Sequence, residues 1–500
     1  MVLRPAALAA LLLLGSAAAG HAQPAGQPAL TATAAVRTPL RSETSHTGRF
    51  NDQKVAYKAI VAETLVPDAS GAAKASIVTT SYVRTDVKDA ARPVLFIFNG
   101  GPGASTTPLH FGAFGPKRRV GEGSEQTLLD NPVSPLDAAD LVFIDPVGTG
   151  YSRPFTPEDG KTFWSRTGDA ASVRYVIERW LKANGREAAP RYILGQSYGT
   201  TRAALIAKDA SALKLDGVLL FALVGAAEGR EMPFVTSLPS VATVAWWHQK
   251  VDRAGRSVEQ VYDEAVAFAR TDYVAALIQG SSLPADEKRK VAQKMAAMTG
   301  LSADYIVSKD LRLTNRDFMF ELLKADGLRT GQLDGRATRR LDAPAQRPPY
   351  DDPGLSFSLE KAPVPPKNAN AVKPDIAVPV GKGESEAVEI YFRKVLKFES
   401  PQTYTSLNLE VNSAWDHEGM GDANVHLGKA MQADPKLRLF WASGLYDLTT
   451  PAYRGRYALD QAGVPADRLT AAQFPGGHSV FTEEGNRAAL AEAVRKFVRP

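Results

Sequence analysis

The chain has 500 residues, 44% of them hydrophobic and 23% charged, an ordinary globular composition that excludes collagen, a coiled coil and wholesale disorder. Its 59 basic and 54 acidic side chains leave a formal net charge of only +5, so no basic face for nucleic acid is implied, and Lys117-Arg118-Arg119 and Arg339-Arg340 read as solvated loops. There are no cysteines, which removes disulfides, thiolate catalysis, zinc ribbons and iron–sulfur clusters by arithmetic.

Residues 1–22 carry Arg4, an Ala/Leu run ending at Leu14 and small residues through Gly20-His21-Ala22, the pattern of a signal peptide. That run is too short for a mature membrane anchor, and no other stretch approaches about 18 continuous apolar residues. An exported protein, periplasmic or extracellular, is expected, and export without disulfides suits a bacterium. Residues 23–47, rich in Ala, Thr, Pro and Gln, read as a flexible leader. Alternation over 55–61 and 76–83 predicts antiparallel strands joined by a turn at Pro67, Asp68 and Gly71. Short apolar runs follow at 94–98, 141–145, 192–194, 218–223 and 437–442, alternating with helical segments. This predicts an α/β architecture with a mostly parallel sheet buried on both faces. The helix predicted over 169–182 sets Val173, Ile177, Trp180 and Leu181 on one face. Residues 48–228 and 432–500 thus form two parts of one core. Between them, 229–431 reads as a largely helical cap insertion, with 334–383 too rich in proline for regular structure and expected as a long irregular surface segment.

The strongest local signal is Gly195-Gln196-Ser197-Tyr198-Gly199, directly after one apolar run and before a helical stretch. Strand, tight turn and helix are what a nucleophile elbow needs, because small residues on either side leave room for a serine on a strained turn. A serine nucleophile needs a base, and the base an orienting carboxylate. Asp447 follows the run at 437–442, and His478 follows Gly476-Gly477 ahead of a predicted C-terminal helix over 487–498. The chain order Ser197, Asp447, His478 is the one such elbows use. Asn99-Gly100-Gly101-Pro102-Gly103 follows the strand at 94–98, and a glycine N–H there, with the N–H of Tyr198, makes a candidate oxyanion hole. No Gly-Lys-Ser/Thr follows, so a phosphate loop is excluded. The chemistry calls for no cofactor and no metal. Asp416-His417-Glu418 lacks a further histidine at ligand spacing, His110 reads as helix surface before pocket lining, and Trp246-Trp247-His248 reads as core or as a side-chain pocket.

The blocks FNGGPGAS (98–105), DNPVSPLDAADLVFIDPVGTGYS (130–152), GQSYGT (195–200), GLYDLTTP (444–451) and GGHSV (476–480) together resemble the serine carboxypeptidase family, the carboxypeptidase Y-like peptidases, and particularly its bacterial branch. The resemblance implies an α/β-hydrolase fold, the triad Ser197, Asp447 and His478, oxyanion donors at Gly101 and Tyr198, and Asn99 as a binder of the substrate's terminal carboxylate. It also implies peptide substrates. Two departures stand out: the family's glutamate before the nucleophile is Gln196 here, a candidate for the same substrate contact, and a second glutamate is replaced by Ala113. The expected activity is release of C-terminal amino acids from peptides through an acyl-enzyme. The alternatives are an esterase or acyltransferase on the same machinery, or a silent hydrolase-fold binding protein.

Overall fold

The computed structural model describes residues 38–87, 89, 91–120, 127–355, 386–419 and 421–499. From Pro39 onward they form one unit. The expected signal peptide and the prolines at 363–366 lie outside the described residues.

One twisted sheet organises this unit. Its long strands are β1 (Arg41–Phe50), β2 (Gln53–Pro67), β3 (Ala73–Arg84), β4 (Val94–Phe98), β5 (Asp140–Asp145), β6 (Arg191–Gln196), β7 (Gly217–Phe221), β8 (Arg438–Gly444) and β9 (Leu469–Phe474), in the spatial order β1-β2-β3-β5-β4-β6-β7-β8-β9. A two-residue strand, Arg153–Pro154, adds to β3. β1, β2, β3 and β5 pair antiparallel, whereas every pair from β5 to β9 is parallel. Parallel strands need crossovers that cover both faces, and the central strands are accordingly buried end to end, as in the VLFIF run of β4.

Alternate side chains feed two cores. Leu95, Ile97, Leu141, Phe143 and Leu194 meet Leu490, Val494 and Phe497 on one face, while Phe96, Val142, Ile144 and Ile193 meet Val173, Ile177 and Trp180 on the other. The second set belongs to helix α1 (Arg166–Ala183), capped by Ser165. Helix α2 (Tyr198–Ala207) leaves the sheet directly from β6.

Two expectations need correction. Residues 41–47, read as leader, are strand, paired to β2 from Arg41↔Ala62 to Phe50↔Gln53. The segment RSETSHTGRF has no apolar residue before Phe50, so it carries no hydrophobic alternation, and its backbone ladder holds it in place. The stretch 229–431 is also not one body. Helices α3 (Met232–Trp247), α4 (Val258–Phe268) and α5 (Ala285–Thr299) share their own core. Val388, Tyr391, Phe392, Phe398 and Tyr404 instead pack into the first face of the sheet, and Leu427 and Met431 into the second. The helical core also takes in Leu445, Tyr446 and Leu448, so it sits on the loop after β8. Helix α6 (Ala452–Gln461) continues from that loop, and α7 (Glu484–Val498) closes the chain.

Candidate active site

β6 lies mid-sheet between β4 and β7, and its end turns into α2 with only Ser197 between them. Ser197 has φ 57° and ψ −130°, a left-handed backbone that strains a non-glycine residue by about 1–3 kcal/mol. The turn is held by Ser197 N–H to the Phe221 carbonyl (2.9 Å) and by Thr200, whose N–H and Oγ1 both donate to the Ser197 carbonyl at 2.8 and 2.7 Å. The flanking glycines are required by space. A Cβ built on Gly195 would stand 2.1 Å from the Gly199 carbonyl oxygen, and one on Gly199 would stand 2.9 Å from that of Asn99. Ser197 itself is half-buried.

The glycine loop lies against this turn. A Cβ on Gly100 would meet the Tyr198 nitrogen at 2.4 Å and the Gly199 nitrogen at 2.7 Å, so the two predicted sources of oxyanion N–H groups are neighbours. Gly101 and Gly103 take φ of 97° and 94°, which glycine adopts without strain. From outside, Asn408 N–H donates to the Gly103 carbonyl (2.8 Å) and Asn412 Nδ2 to that of Pro102 (3.0 Å).

Asp447 and His478 meet across the ends of β8 and β9. His478 Nδ1 is 2.7 Å from Asp447 Oδ2. Because a carboxylate only accepts, Nδ1 carries the proton and Nε2 is left as the basic nitrogen. The carboxylate is fully buried and saturated: Oδ1 accepts from Thr449 N–H (2.7 Å) and Thr450 N–H (2.9 Å), and Oδ2 from Thr450 Oγ1 (2.5 Å). Gly444 permits the approach of the two loops, since a Cβ there would be 2.1 Å from the Gly477 carbonyl oxygen.

Gln196 ties the serine side to the histidine side. Its Nε2 donates to the His478 carbonyl (3.1 Å) and to Ser479 Oγ (3.3 Å), while its Oε1 accepts from Asn99 Nδ2 (2.7 Å). Both of its N–H groups are therefore engaged within the protein. Gln196, expected as a substrate contact, thus bridges the glycine loop and the histidine loop. Asn99 keeps its place beside the turn, with its Oδ1 accepting from Leu109 N–H at 3.3 Å. Ala113 is buried in the first core.

Several contributors carry no motif. Arg202, fully buried one turn into α2, donates from Nε to Asp169 Oδ2 (2.7 Å) and from Nη1 to the Asn99 carbonyl (2.5 Å), between the rings of Phe98 and Tyr198. Burial pushes the Asp169 carboxyl up, against the pull of Arg202. The available signal was an arginine inside the apolar stretch of α2, since a buried charge needs a partner. Residues 331–336 are likewise silent in sequence.

The remaining candidates find structural places. His110 is only 1% exposed, bonded to Tyr82 OH (2.7 Å) and stacked on Phe143, so it is neither helix surface nor pocket lining. Its π-helical segment faces the first core. Glu418 binds Thr167 N–H and Oγ1 at 2.8 and 2.6 Å, serving the start of α1. Trp246 and Trp247 are half-buried, with Trp247 5.6 Å from the Tyr446 ring.

Sheet order, elbow and loops define an α/β-hydrolase. The prohormone-processing carboxypeptidase Kex1(Δ)p of Saccharomyces cerevisiae shares this fold with a TM-score of 0.53 at 14% identity, covering 88% of this chain and 90% of that one. Residues 81–213, from β3 past the end of α2, match the serine carboxypeptidase family. Two Arabidopsis thaliana proteins are similar: serine carboxypeptidase-like 36, 36% identical over 120 residues (23% of this chain and 24% of that protein), and serine carboxypeptidase-like 9, 30% identical over 125 residues (23% and 27%). The matched stretch thus spans about a quarter of these relatives' length. The family match at 81–213 contains the glycine loop and Ser197, whereas Asp447 and His478 lie beyond it.

Proposed function

We propose that the protein is a serine carboxypeptidase that releases C-terminal amino acids from peptides. The observation that carries this reading is the pairing of half-buried His478 with buried Asp447, bound through Gln196 to the strained turn that presents Ser197. The family match at 81–213 supports the peptidase class.

In this reading His478 Nε2 takes the Ser197 hydroxyl proton as Oγ bonds to the scissile carbonyl carbon. The N–H groups of Gly101 and Tyr198 receive the oxyanion. Collapse breaks the C–N bond, and the imidazolium returns the proton to the departing amino acid. Water, activated by the same nitrogen, then cleaves the acyl-enzyme and frees Ser197. Asp447 holds the tautomer throughout. Asn99 Nδ2, which shares only one of its hydrogens with Gln196, is assigned the terminal carboxylate of the peptide.

Export to a bacterial periplasm or medium belongs to the same proposal, supported by the N-terminal pattern and the absence of cysteine. Among the described residues no helix is long and apolar enough to cross a membrane.

The test is incubation with a peptide mixture and with matched free-acid and amidated peptides, read by mass spectrometry. Loss of single C-terminal residues from free acids, absent in Ser197→Ala, is expected. Internal cuts, N-terminal ladders or equal rates on acid and amide overturn the assignment.

A further inference from the structure

The stretch expected as an irregular surface segment, 334–383, opens within residues 331–336. These residues instead run between the two loops that carry Asp447 and His478. The Gln332 carbonyl accepts from Leu448 N–H (3.0 Å), and the next carbonyl, that of Leu333, accepts from His478 N–H (2.7 Å). Gln332 and Leu333 lie in a bend, and through their two carbonyls one short segment grips both the acid loop and the histidine itself. Gly335 N–H donates to the Tyr446 carbonyl (2.9 Å). The segment is anchored from behind by Asp352, whose Oδ2 accepts from Gln332 N–H (2.9 Å) and Leu333 N–H (3.1 Å).

Its side chains press on the same place. Asp334 and Arg336 are 4% and 5% exposed. Arg336 donates from Nε to Asp334 Oδ1 (3.0 Å) and from Nη2 to Oδ2 (2.7 Å), the two-point geometry that fixes a carboxylate in orientation. Its Nη1 reaches the Glu483 carboxylate and the Pro475 carbonyl, and its guanidinium lies 4.9 Å from the centre of the Tyr446 ring. The Asp334 side chain fills the space over Gly477: a Cβ on that glycine would be 2.6 Å from Asp334 Cβ, Cγ and Oδ2.

We propose that the 331–336 segment is a positioning element for the imidazole of His478, and that the Asp334–Arg336 pair clamps it against Gly477. The proposal rests on Ser197, Asp447 and His478 acting as a triad. Neither Asp334 nor Arg336 touches the reacting atoms. They act through Gly477 and the Pro475 carbonyl, while the Leu333 carbonyl holds the His478 N–H and Gln196 holds its carbonyl. Among the described residues, the charged and titratable groups that meet the His478 loop and its partners include Asp447 on the imidazole, Asp334 over Gly477, Arg336 with Glu483 and Tyr446, and Arg454, which interacts electrostatically with Asp447.

The experiment measures the rate at which a fluorophosphonate labels Ser197, across pH, in the full-length protein and in Asp334→Ala, Asp334→Asn, Arg336→Ala and Gly477→Ala, alongside peptide kcat and KM and thermal melts. Asp334→Ala is expected to lower the labelling rate and kcat on the order of 10- to 100-fold, the scale of a misplacement near 1 Å, with KM within about twofold. Asp334→Asn keeps an acceptor for Arg336 and is expected to fall between; it also serves if the alanine variant does not fold. The acid limb of labelling should move to lower pH in Asp334→Ala, where an anion is lost, and to higher pH in Arg336→Ala, where a cation is lost. Gly477→Ala should slow labelling without moving the limb. A merely structural role would lower folded protein in all variants and leave the limb in place. That result, or an Asp334→Ala variant with the parent's rate, overturns the proposal. A parent protein that is not labelled at Ser197 overturns the triad reading instead, and this proposal with it.

Discussion

Gln196 Nε2 donates to the carbonyl oxygen of His478 at 3.1 Å, so the residue before the nucleophile holds the backbone of the base. A glutamate at this position would do so only with a proton on its carboxyl, because an ionised carboxylate has nothing to donate to a carbonyl. Gln196→Glu is therefore expected to work at acid pH and to lose kcat/KM as pH rises. Burial raises the pKa of the introduced acid and moves the loss toward neutrality. The parent amide does not titrate, so its profile should show no such alkaline fall. Superimposable pH profiles for parent and variant would remove Gln196 from the bridge.

The glycine loop makes a steric prediction. In Gly100→Ala the new Cβ would meet backbone nitrogens of the elbow at 2.4 and 2.7 Å, and backbone cannot swing aside as a side-chain tip does. The loop must withdraw from Tyr198, separating the two oxyanion donors. A fall in kcat on the order of 10²-fold or more is expected, with the protein still folded by circular dichroism. Full activity in this variant would place the oxyanion hole elsewhere.

How much of this was legible beforehand follows from chain locality. The elbow, the glycine loop and the Gly-Gly-His loop are each set by contiguous residues whose spacing reports backbone shape, so Gly195, Ser197 and Gly199 could be read directly. The parallel strands were legible because burial on both faces leaves unbroken apolar runs such as VLFIF. β1 was not, since its polar sequence is held by a ladder that depends on β2. Nor was the 331–336 segment, whose bonds to Leu448 and His478 run through carbonyls that every residue possesses. Arg202 stands between these cases: its charge was visible in an apolar helix, but Asp169 lies 33 residues away in sequence.

Arg202 also separates stability from activity. Arg202→Met leaves Asp169 buried without its partner, a loss of about 3–5 kcal/mol, and removes the donor to the Asn99 carbonyl. Adding Asp169→Leu removes the stranded carboxylate and is expected to recover most of the stability. It does not restore the bond to Asn99, so fluorophosphonate labelling should stay slow in the double variant. Urea midpoints and labelling rates on the same samples check this; recovery of both together would mean that Arg202 serves the fold alone.

His110 predicts how the fold responds to acid. Burial pushes its imidazole from the ordinary 6.5 down to about 3, where it bonds to Tyr82 OH and stacks between Phe111 and Phe143. Above pH 6.5 the residue is neutral in both folded and unfolded chains and contributes no slope. Between 6.5 and about 3 the unfolded chain binds a proton here that the folded one refuses, so stability falls with pH by about 1.4 kcal/mol per unit. Below that window both states are protonated and the term levels off. Burial lowers His248 in the same direction, so His110 supplies part of a common acid slope. His110→Gln keeps a polar partner for Tyr82 but does not titrate. It is expected to be less stable than the parent at pH 7.5, by about 1–2 kcal/mol for the lost stacking, and to lose less on acidification, so that the two stability curves cross between about pH 6 and 5 and the variant is the more stable at pH 4. Urea unfolding at pH 7.5, 6, 5 and 4 reads this directly, and curves that stay parallel across that range would show that His110 is not the group that titrates.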